Sequence, residues 1–425
     1  MRLKLYWQIL IALVLAVIAG VLSGTEGRFL GVHWYGLYAF IGTLFMNALK
    51  MIIVPLIMSS IITGVSGMGG TQSLGRMGLK TLLFYTISSL LAILTGLLFV
   101  NLLEPGIIGG QPARALLGLN ETAFAEVAEK VEGHSVADLT GVFLSMVPPN
   151  IVAAAAQGQM LGLIFFSLLF GFFLTRIDRQ SGDLLSRFWS GIADIMMGIT
   201  MLVMKFAPLG VFGLVAKTVA GIEPGQMDDL ALSLGSFTLS VLLALAVHVF
   251  VTMPVLLMMV ARVNPVKHFR AMLPAMLTAF STASSSATLP LTMECVRDNA
   301  GVSNRTASFV LPLGATVNMD GTALYECVAA MFIAQAYGLE LSFVTQFTVV
   351  LVALLTSIGV AGIPAASLVA ITIILTTIGL PAEAIGLILA VDRILDMFRT
   401  SVNVYSDSCG AVLVAKSEGE KNILS

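Results

Sequence analysis

The chain has 425 residues, of which 57% are hydrophobic and only 11% are charged, with a formal net charge of -2. Soluble proteins carry roughly 25% charged residues, so this composition excludes a soluble globular protein and indicates a membrane protein. The sequence has neither the basic stripe of a nucleic-acid-binding protein nor the alternation of a transmembrane β-barrel, and its long apolar runs predict spanning helices.

Long apolar segments follow one another along the chain, and eight of them are predicted to cross a bilayer as helices. They lie near residues 6–23, 34–66, 80–103, 139–175, 185–221, 230–262, 304–336 and 379–415. Several are longer than one upright span requires, which implies tilted or broken helices. Basic and acidic loops alternate between the segments, so the positive-inside rule predicts that both termini are cytoplasmic.

Two further apolar segments, about 271–294 and 343–376, are interrupted by small and helix-breaking residues at 281–290 and 357–364. Basic residues flank the first segment on both sides, whereas an acidic loop and a short link flank the second. Each segment must therefore enter and leave on the same side, which predicts two re-entrant hairpins of opposite orientation. Such paired, inverted segments are typical of the central site of a transporter. Two ordinary kinked spans are the alternative.

A polar pentad, residues 318–322, interrupts the apolar segment 304–336. Gly321 weakens the helix there, and Asn318 and Asp320 add oxygen atoms beside loosened backbone carbonyl groups. Hard cations prefer oxygen ligands, so the pentad indicates a cation site. A polar kink that is satisfied by neighbouring helices is the alternative.

The last apolar segment carries four charged residues and one amide at helical spacing, which places them on one face of a helix. These residues are Asp392, Asp396, Arg399, Asn403 and Asp407. A charge at the centre of a bilayer costs a few kcal/mol on insertion scales, so such a face indicates a binding site for ions and a charged solute. An ionic cluster that only maintains helix packing is the alternative.

Four motifs carry a resemblance to a known family: SSSATLP at 284–290, NMDGTALYE at 318–326, SIGVAGIP at 357–364 and DRILDMFRTSVNV at 392–404. In this order they resemble the dicarboxylate/amino-acid:cation symporter family, which includes the excitatory amino acid transporters. The resemblance extends over nearly the whole chain. It implies an all-α polytopic membrane protein with eight transmembrane helices, two re-entrant hairpins, inverted repeats and a homotrimeric assembly.

The resemblance implies a substrate site in which two charged residues have distinct tasks. Arg399 is similar to the arginine that holds the side-chain carboxylate of an acidic amino acid, and a guanidinium suits a carboxylate. Asp396 is similar to the carboxylate that takes the α-amino group. The other implied substrate contacts are Ser284, Ser285, Thr322, Val360, Gly362, Thr400 and Asn403.

The resemblance also implies three sodium sites built from oxygen atoms. The first would combine Asp407 with Gly314, Asn318 and Asn403. The second would combine Thr316 with carbonyl groups of Ser357, Ile358 and Val360. The third and deepest would combine Tyr85, Ser88, Ser89, Asn318 and Asp320. Sodium is then a co-transported ion, and no organic cofactor is implied.

One departure from the family concerns an arginine near the substrate site. Archaeal members have an arginine where this chain has Ala283, and mammalian members have one where it has Met397. Arg393 lies one helical turn before Met397 on the same face. Either Arg393 is a relocated equivalent of that arginine, or it pairs with Asp392 or Asp396. The separate role of Asp392 is not assigned.

A second departure concerns Glu326, which matches the mammalian glutamate linked to proton movement, whereas archaeal members have glutamine there. Removing a carboxylate from water favours the neutral acid, so a buried glutamate is able to carry a proton. Either Glu326 is a proton-coupling residue, or it is permanently protonated and hydrogen-bonded.

The resemblance further implies a division of the chain into a scaffold and a moving transport unit. Residues 1–75 would supply scaffold helices one and two, and residues 107–221 would supply scaffold helices four and five. Residues 76–106 would supply transport helix three. Residues 222–425 would supply the rest of the transport unit, with the hairpins at 266–297 and 343–376.

The resulting prediction is a secondary active symporter of a cell (inner) membrane that takes up L-glutamate or L-aspartate with sodium. Protons or potassium are candidates for further coupled ions. Alternatives are a C4-dicarboxylate or neutral-amino-acid symporter coupled to protons, and a channel; the presence of both Asp396 and Arg399 favours acidic amino acids. An enzyme is disfavoured, because the sequence has no Ser/His or Cys/His arrangement. The four histidines are interpreted as lying mostly in loops: His33, His134, His248 and His268.

Overall fold

The computed structural model describes residues 5–29, 32–66, 72–113, 144, 146–157, 159–221, 227–339, 342–357, 367–421 and 423–424. Within them the chain is predominantly helical, as the composition predicts.

The first part of the described chain has three long helices. Helix α1 spans Leu5–Ser23, α2 spans Trp34–Ser66 and α3 spans Gln72–Leu103. Two short antiparallel pairs lie beside them: β1, Arg28–Phe29, pairs with β2, Val32–His33, and β3, Ile107–Ile108, pairs with β4, Gln111–Pro112.

Four helices follow: α4, Ile151–Gln157; α5, Met160–Leu174; α6, Arg179–Lys205; and α7, Ala207–Ala220. The axes of α6 and α7 differ by 56° at their junction. A proline near the start of α7 explains the break, because proline lacks the backbone N–H that would continue the preceding helix. Helix α7 packs on α1 and α2, and α2 also packs on α5 and α6.

Close packing between α2 and α7 depends on a glycine. A Cβ atom at Gly213 would lie 2.8 Å from the backbone nitrogen of Gly42. A larger residue at this position would therefore separate the two helices.

Helix α8 starts as Met227–Val247 and continues through the π-helical turns His248–Thr252 and Leu257–Ala261, which are joined by the α-turn Met253–Leu256. Single-turn π-bulges within helices are frequent at functional sites.

The first interrupted segment reverses direction between α9, Pro265–Thr282, and α10, Ser285–Glu294, which continues as the π-turn Cys295–Asn299. Ala283 has a left-handed backbone with φ +49° at the turn. The Asn299 side-chain amide donates to the Ala271 carbonyl over 3.1 Å, so the two ends of the segment lie side by side. This reversal agrees with the predicted hairpin, whereas its re-entry into a membrane stays a prediction.

Helix α11, Asn304–Val317, and helix α12, Asp320–Ala336, are separated at Asn318 and Met319, where the pentad predicted an interruption. Helices α13, Phe343–Ser357, and α14, Ser367–Thr377, pack against each other and on α12. The tip between them, 358–366, lies outside the described residues. A 3₁₀ segment, Ala382–Leu387, leads into the last helix, α15, Leu389–Ser417.

The core of this second group of helices is α12, in which every residue from 320 to 334 is buried. Helix α12 packs on α3, α8, α13, α14 and α15, while α15 also packs on α9, α10 and α11. The broken helix and the charged helix therefore face each other in the interior, where they position the site.

Two of the described helices, Arg76–Leu103 and Asp228–Ala261, are long and apolar enough to cross a bilayer by length and composition, and the bent pair α6–α7 is a third candidate. Helix α15 is long enough to cross a bilayer but carries several charged residues. The break at Asn318 divides the segment 304–336 into α11 and α12, each of which is shorter than a full span. The other predicted spans and the inverted repeat stay predictions.

Candidate functional site

Arg399 is completely buried on the inner face of α15. Its Nη2 donates to Asp392 Oδ1 over 3.1 Å and to Asp396 Oδ1 over 2.9 Å. The Nε and Nη1 atoms have no hydrogen-bond partner among the described residues. Buried donors without partners are costly, and ionised carboxylates form the strongest hydrogen bonds with guanidinium groups. Arg399 is thus able to bind a further carboxylate.

Helix α12 contacts Arg399 through Tyr325 and Gly321. The Tyr325 ring lies 3.8 Å from Arg399 Cζ, measured to the ring centroid, which is a cation–π distance. A Cβ atom at Gly321 would lie 2.7 Å from the Arg399 carbonyl oxygen, so the glycine permits the close approach of the two helices. These contacts hold the guanidinium in one place.

Asp396 lies between two arginines. Its Oδ2 atom accepts a hydrogen bond from Arg393 Nη1 over 3.1 Å, while its Oδ1 atom binds Arg399. This geometry agrees with the alternative in which Arg393 pairs with Asp396. Thr400, another predicted substrate residue, is buried and donates through Oγ1 to the Asp396 carbonyl over 2.8 Å.

Asn403 and Thr322 are joined across α15 and α12. Asn403 Oδ1 accepts from the backbone N–H groups of Gly321 and Thr322 over 2.8 and 3.3 Å, and Asn403 Nδ2 donates to Thr322 Oγ1 over 3.0 Å. The Asn403 amide therefore caps backbone N–H groups at the start of α12 that have no partner within the helix. Both predicted substrate residues lie at the point where the broken helix resumes.

The serines of the first hairpin lie at the start of α10, which packs on α15. Ser284 is the N-cap residue, and its Oγ accepts from the Ala287 N–H over 3.3 Å. Ser285 is buried in the first turn. A helix N-terminus carries a partial positive charge that suits an anion. The predicted contacts Val360 and Gly362 lie outside the described residues.

Asp407 and Asn318 are the centre of the predicted first sodium site. Asn318 Nδ2 donates to Asp407 Oδ1 over 2.9 Å. A Cβ atom at Gly314 would lie 2.5 Å from Asp407 Oδ1 and 2.7 Å from the Tyr85 hydroxyl, so the backbone of α11 runs directly beside the carboxylate. The structure therefore brings these oxygen atoms close together.

The members of the predicted third site surround Asp320. Its Oδ1 atom accepts hydrogen bonds from Ser89 Oγ over 2.6 Å and from Ser88 Oγ over 3.2 Å. Ser88 Oγ also lies 3.2 Å from Asn318 Oδ1. Tyr85 donates its hydroxyl to the Val310 carbonyl over 2.8 Å. Asn318 thus contacts both predicted cation sites.

Two further residues contact Asp320 that the sequence analysis did not select. Ser406 Oγ donates to Asp320 Oδ2 over 2.5 Å, and His248 Nε2 lies 3.1 Å from the same oxygen. The interpretation of the histidines as mostly loop residues is wrong for His248 and His268, which are buried in α8 and α9. The available signal was a lone ionisable residue within the apolar run 230–262.

The described residues supply two of the four members of the predicted second sodium site. Thr316 is exposed and donates to the Leu313 carbonyl over 3.0 Å. Ser357 is buried at the end of α13 and donates to the Leu354 carbonyl over 2.8 Å. Ile358 and Val360 lie outside the described residues.

Glu326 is completely buried one helical turn beyond Thr322. Its Oε2 atom accepts a hydrogen bond from Thr356 Oγ1 over 3.0 Å. Its Oε1 atom has no hydrogen-bond partner among the described residues. Thr356 precedes Ser357 at the end of α13, so the carboxyl group links α12 to the second interrupted segment.

Comparison with known proteins places the whole chain in one family. The signature of the sodium:dicarboxylate symporter family matches residues 5–417. The proton/sodium-glutamate symport protein of Geobacillus stearothermophilus is 34% identical, over 99% of this chain and 96% of that protein. Excitatory amino acid transporter 3 of Homo sapiens is 37% identical, over 97% and 86% of the two chains. The proton/glutamate-aspartate symporter of Escherichia coli is 35% identical, over 98% and 93%. The chain therefore belongs to the sodium:dicarboxylate symporter family, whose members are membrane transporters and not enzymes.

Proposed function

We propose that this protein is a secondary active symporter that takes up L-glutamate or L-aspartate with sodium by alternating access. The observation that carries the proposal is the buried Arg399, which lies beside Asp396 and has two nitrogen atoms without a hydrogen-bond partner among the described residues. A dicarboxylate without an amino group would bring no positive charge to the Asp396 carboxylate, whereas a neutral amino acid would bring no second carboxylate to the donors of Arg399. The relatives named for glutamate and aspartate transport support the same substrate class.

In this proposal Arg399 takes the side-chain carboxylate and Asp396 takes the α-ammonium group. Ser285 and the first N–H groups of α10 take the α-carboxylate, together with backbone groups of the second hairpin. Thr322, Thr400 and Asn403 complete the pocket. The preformed bond between Asn403 and Thr322 supports this, because it holds the start of α12 next to the charged face of α15.

Sodium is the proposed coupling ion. Asp407, Asn318 and the backbone around Gly314 supply oxygen atoms for one ion, and the Asp320 cluster supplies oxygen atoms for a second. A third would sit beneath the second hairpin. The Asp407 carboxylate faces an amide group, and the Asp320 carboxylate faces hydroxyl groups and the His248 imidazole. Neither has a guanidinium or ammonium partner among the described residues, which supports cation binding, since a buried charge requires a partner.

Glu326 is the proposed proton carrier. Its buried carboxyl group accepts a hydrogen bond at Oε2, while Oε1 has no hydrogen-bond partner among the described residues. The group lies one helical turn from Thr322 of the proposed substrate pocket. A purely structural, permanently protonated Glu326 is the competing role. The names of the bacterial relatives include proton coupling, which supports the first role.

We also propose the predicted division into scaffold and transport unit. Packing supports it, because α7 lies on α1 and α2, whereas α3 joins α8 and α12. The proposed protein is a homotrimer in the cell membrane with both termini in the cytoplasm, and each transport unit moves against its own scaffold.

Uptake into proteoliposomes tests the function. With an inward sodium gradient, purified protein should accumulate labelled L-glutamate and L-aspartate above their external concentration. Replacement of sodium by choline should abolish accumulation, and succinate should be taken up at least about tenfold more slowly, in line with one lost charged hydrogen bond. Uptake that is equally fast in choline would refute sodium coupling, and equal uptake of succinate would refute the role of Asp396.

A further inference from the structure

Arg393, Asp396 and Arg399 follow one another at intervals of three residues on α15. The Asp396 carboxylate lies between the two guanidinium groups: its Oδ2 atom is 3.1 Å from Arg393 Nη1 and its Oδ1 atom is 2.9 Å from Arg399 Nη2. The order of charge along the site is therefore positive, negative, positive.

An acidic amino acid carries the opposite order of charge. Its ammonium group lies between the α-carboxylate and the side-chain carboxylate, which makes the pattern negative, positive, negative. If the ammonium binds Asp396 and the side-chain carboxylate binds Arg399, the remaining carboxylate lies on the side of Asp396 that faces Arg393. Each charge of the substrate then meets an opposite charge of α15.

We infer that Arg393 is a specificity-determining residue that binds the α-carboxylate of the substrate, so that two arginines on one helix read its two carboxylates. The inference rests on the proposed function and deepens it. The hairpin groups at the start of α10 share this carboxylate. Arg393 pairs with Asp396 in the structure. When substrate binds, its ammonium group takes over that Asp396 oxygen while Arg393 turns to the α-carboxylate.

Burial supports the assignment of the two arginines. The Arg393 side chain is 13% exposed and the Asp396 side chain 10%, whereas Arg399 is inaccessible. A substrate that enters from the open side would therefore place its side-chain carboxylate at the deep arginine and its α-carboxylate at the rim. The net charge of these four side chains is zero, because the two arginines Arg393 and Arg399 balance Asp392 and Asp396. Removing Arg393 would leave the site with a net negative charge that disfavours an anionic substrate.

Two amides of aspartate distinguish the two arginines. L-isoasparagine has an amide in place of the α-carboxylate, and L-asparagine has an amide in place of the side-chain carboxylate. Affinities for L-aspartate and both amides would be measured by isothermal titration calorimetry on the full chain in nanodiscs with saturating sodium. The native protein should bind each amide about ten to a hundred times more weakly than aspartate, which corresponds to about 1.4–2.8 kcal/mol.

The Arg393→Met variant should lower the preference for aspartate over isoasparagine about tenfold, in line with one lost charged hydrogen bond, while the preference over asparagine stays within about twofold. Arg399→Met is the matched control and should show the reverse pattern. Arg393→Lys keeps the charge but not the fork, so it should give an intermediate preference.

An unchanged preference over isoasparagine in Arg393→Met overturns the inference, because it would mean that Arg393 only orients Asp396. If the Met variant does not fold, an unchanged preference in Arg393→Lys has the same meaning. Failure of the native protein to bind aspartate in sodium would instead contradict the proposed function.

Discussion

At the scale of single residues, Arg399 combines complete burial of a charged side chain with incomplete hydrogen bonding among the described residues. It is inaccessible to solvent, bonded to two aspartates through one nitrogen and stacked on Tyr325. Within the part of the chain that the structure describes, two of its nitrogen atoms nevertheless lack hydrogen-bond partners. A carboxylate that binds to such a residue forms new hydrogen bonds with it, whereas a structural arginine with all donors paired would have to break existing ones.

Replacing Arg399 by Met should therefore weaken glutamate and aspartate binding by at least about thirtyfold, because truncating one partner of a buried charged pair costs 2–5 kcal/mol or more. Competition with labelled aspartate measures the loss. Gln335→Met is the control, because the half-buried Gln335 lies near the end of α12 and hydrogen-bonds backbone groups of Val100 and Gly106, away from the charged face of α15. Undiminished glutamate affinity in Arg399→Met would contradict its assignment.

Glu326 also has a buried oxygen atom, Oε1, without a hydrogen-bond partner among the described residues. Replacing it by Gln keeps the shape but removes the exchangeable proton, so net uptake should lose its dependence on pH while sodium-dependent substrate exchange continues. Uptake and exchange would be compared between about pH 5 and about pH 8 in proteoliposomes, a range that extends to both sides of physiological pH.

Thr356→Val is the control for Glu326, since it removes the hydrogen bond over 3.0 Å but leaves the carboxyl group. Its pH dependence should persist. An unaltered pH profile in Glu326→Gln would reduce this residue to a structural role.

At the scale of elements, the break between α11 and α12 and the charged face of α15 act together. Asn318 bonds to Asp407, and Asn403 caps the start of α12, so the proposed cation sites and the proposed substrate pocket share the same two chain segments. A cation that orders these segments would also order the pocket. Coupling between the two ligands then follows from shared structure.

Sodium and substrate should therefore raise each other's affinity. Coupling energies of this kind typically change affinity 5- to 150-fold, and linkage requires that the effect be reciprocal. Titration of aspartate at low and high sodium, and of sodium with and without aspartate, measures both sides of the cycle. Asp407→Asn should flatten the dependence on sodium, and independence of the two ligands in the native protein would contradict the arrangement.

At the scale of the whole molecule, the C-terminal tail joins elements that are distant in sequence. Glu418 binds Lys80 Nζ over 2.5 Å and Arg76 Nη2 over 3.1 Å at the start of α3. Glu420 accepts hydrogen bonds from Ser303 and Thr306 at the start of α11. The tail thereby fastens α3 and α11 to α15, which the proposed transport unit would need in order to move as one body.

The hydrogen bonds from Lys80 and Arg76 lower the pKa of Glu418 below its ordinary value. A carboxyl group with a lowered pKa in the folded state stabilises that state above the pKa of the unfolded chain, and the contribution is lost as the pH falls through the folded pKa. Glu418→Gln should therefore speed amide hydrogen exchange at residues 415–421 near neutral pH, and acidification should narrow the difference from the native protein.

The Arg76 and Lys80 side chains are 70% and 33% exposed, whereas the Glu418 side chain is 12% exposed. Because the two basic groups stay in contact with solvent, loss of these ion pairs should cost no more than about 1 kcal/mol. Asp298→Asn is the matched control, since Asp298 pairs with its neighbour Arg297 and joins no distant elements. Equal tail exchange in Glu418→Gln and the native protein would show that the ion pairs do not fasten the tail.

Local pattern was enough to predict several features of this protein. Helical periodicity placed Asp392, Asp396 and Arg399 on one face, and the pentad at 318–322 predicted the break in the helix, because both depend on neighbours within one or two turns. The small residues at 281–290 likewise predicted the reversal of the chain. Composition predicted a helical membrane protein, because apolar length alone decides which segments suit a bilayer.

Only the tertiary structure decided which of these groups meet. The contact of His248 with Asp320, the bond of Asn403 to Thr322 and the choice of Asp396 as partner of Arg393 could not be read from spacing. The first two join residues far apart in the chain, and the third selects one rotamer among several that spacing allows. Such contacts depend on how α8, α12 and α15 pack, which is a property of the assembled helices and not of any one segment.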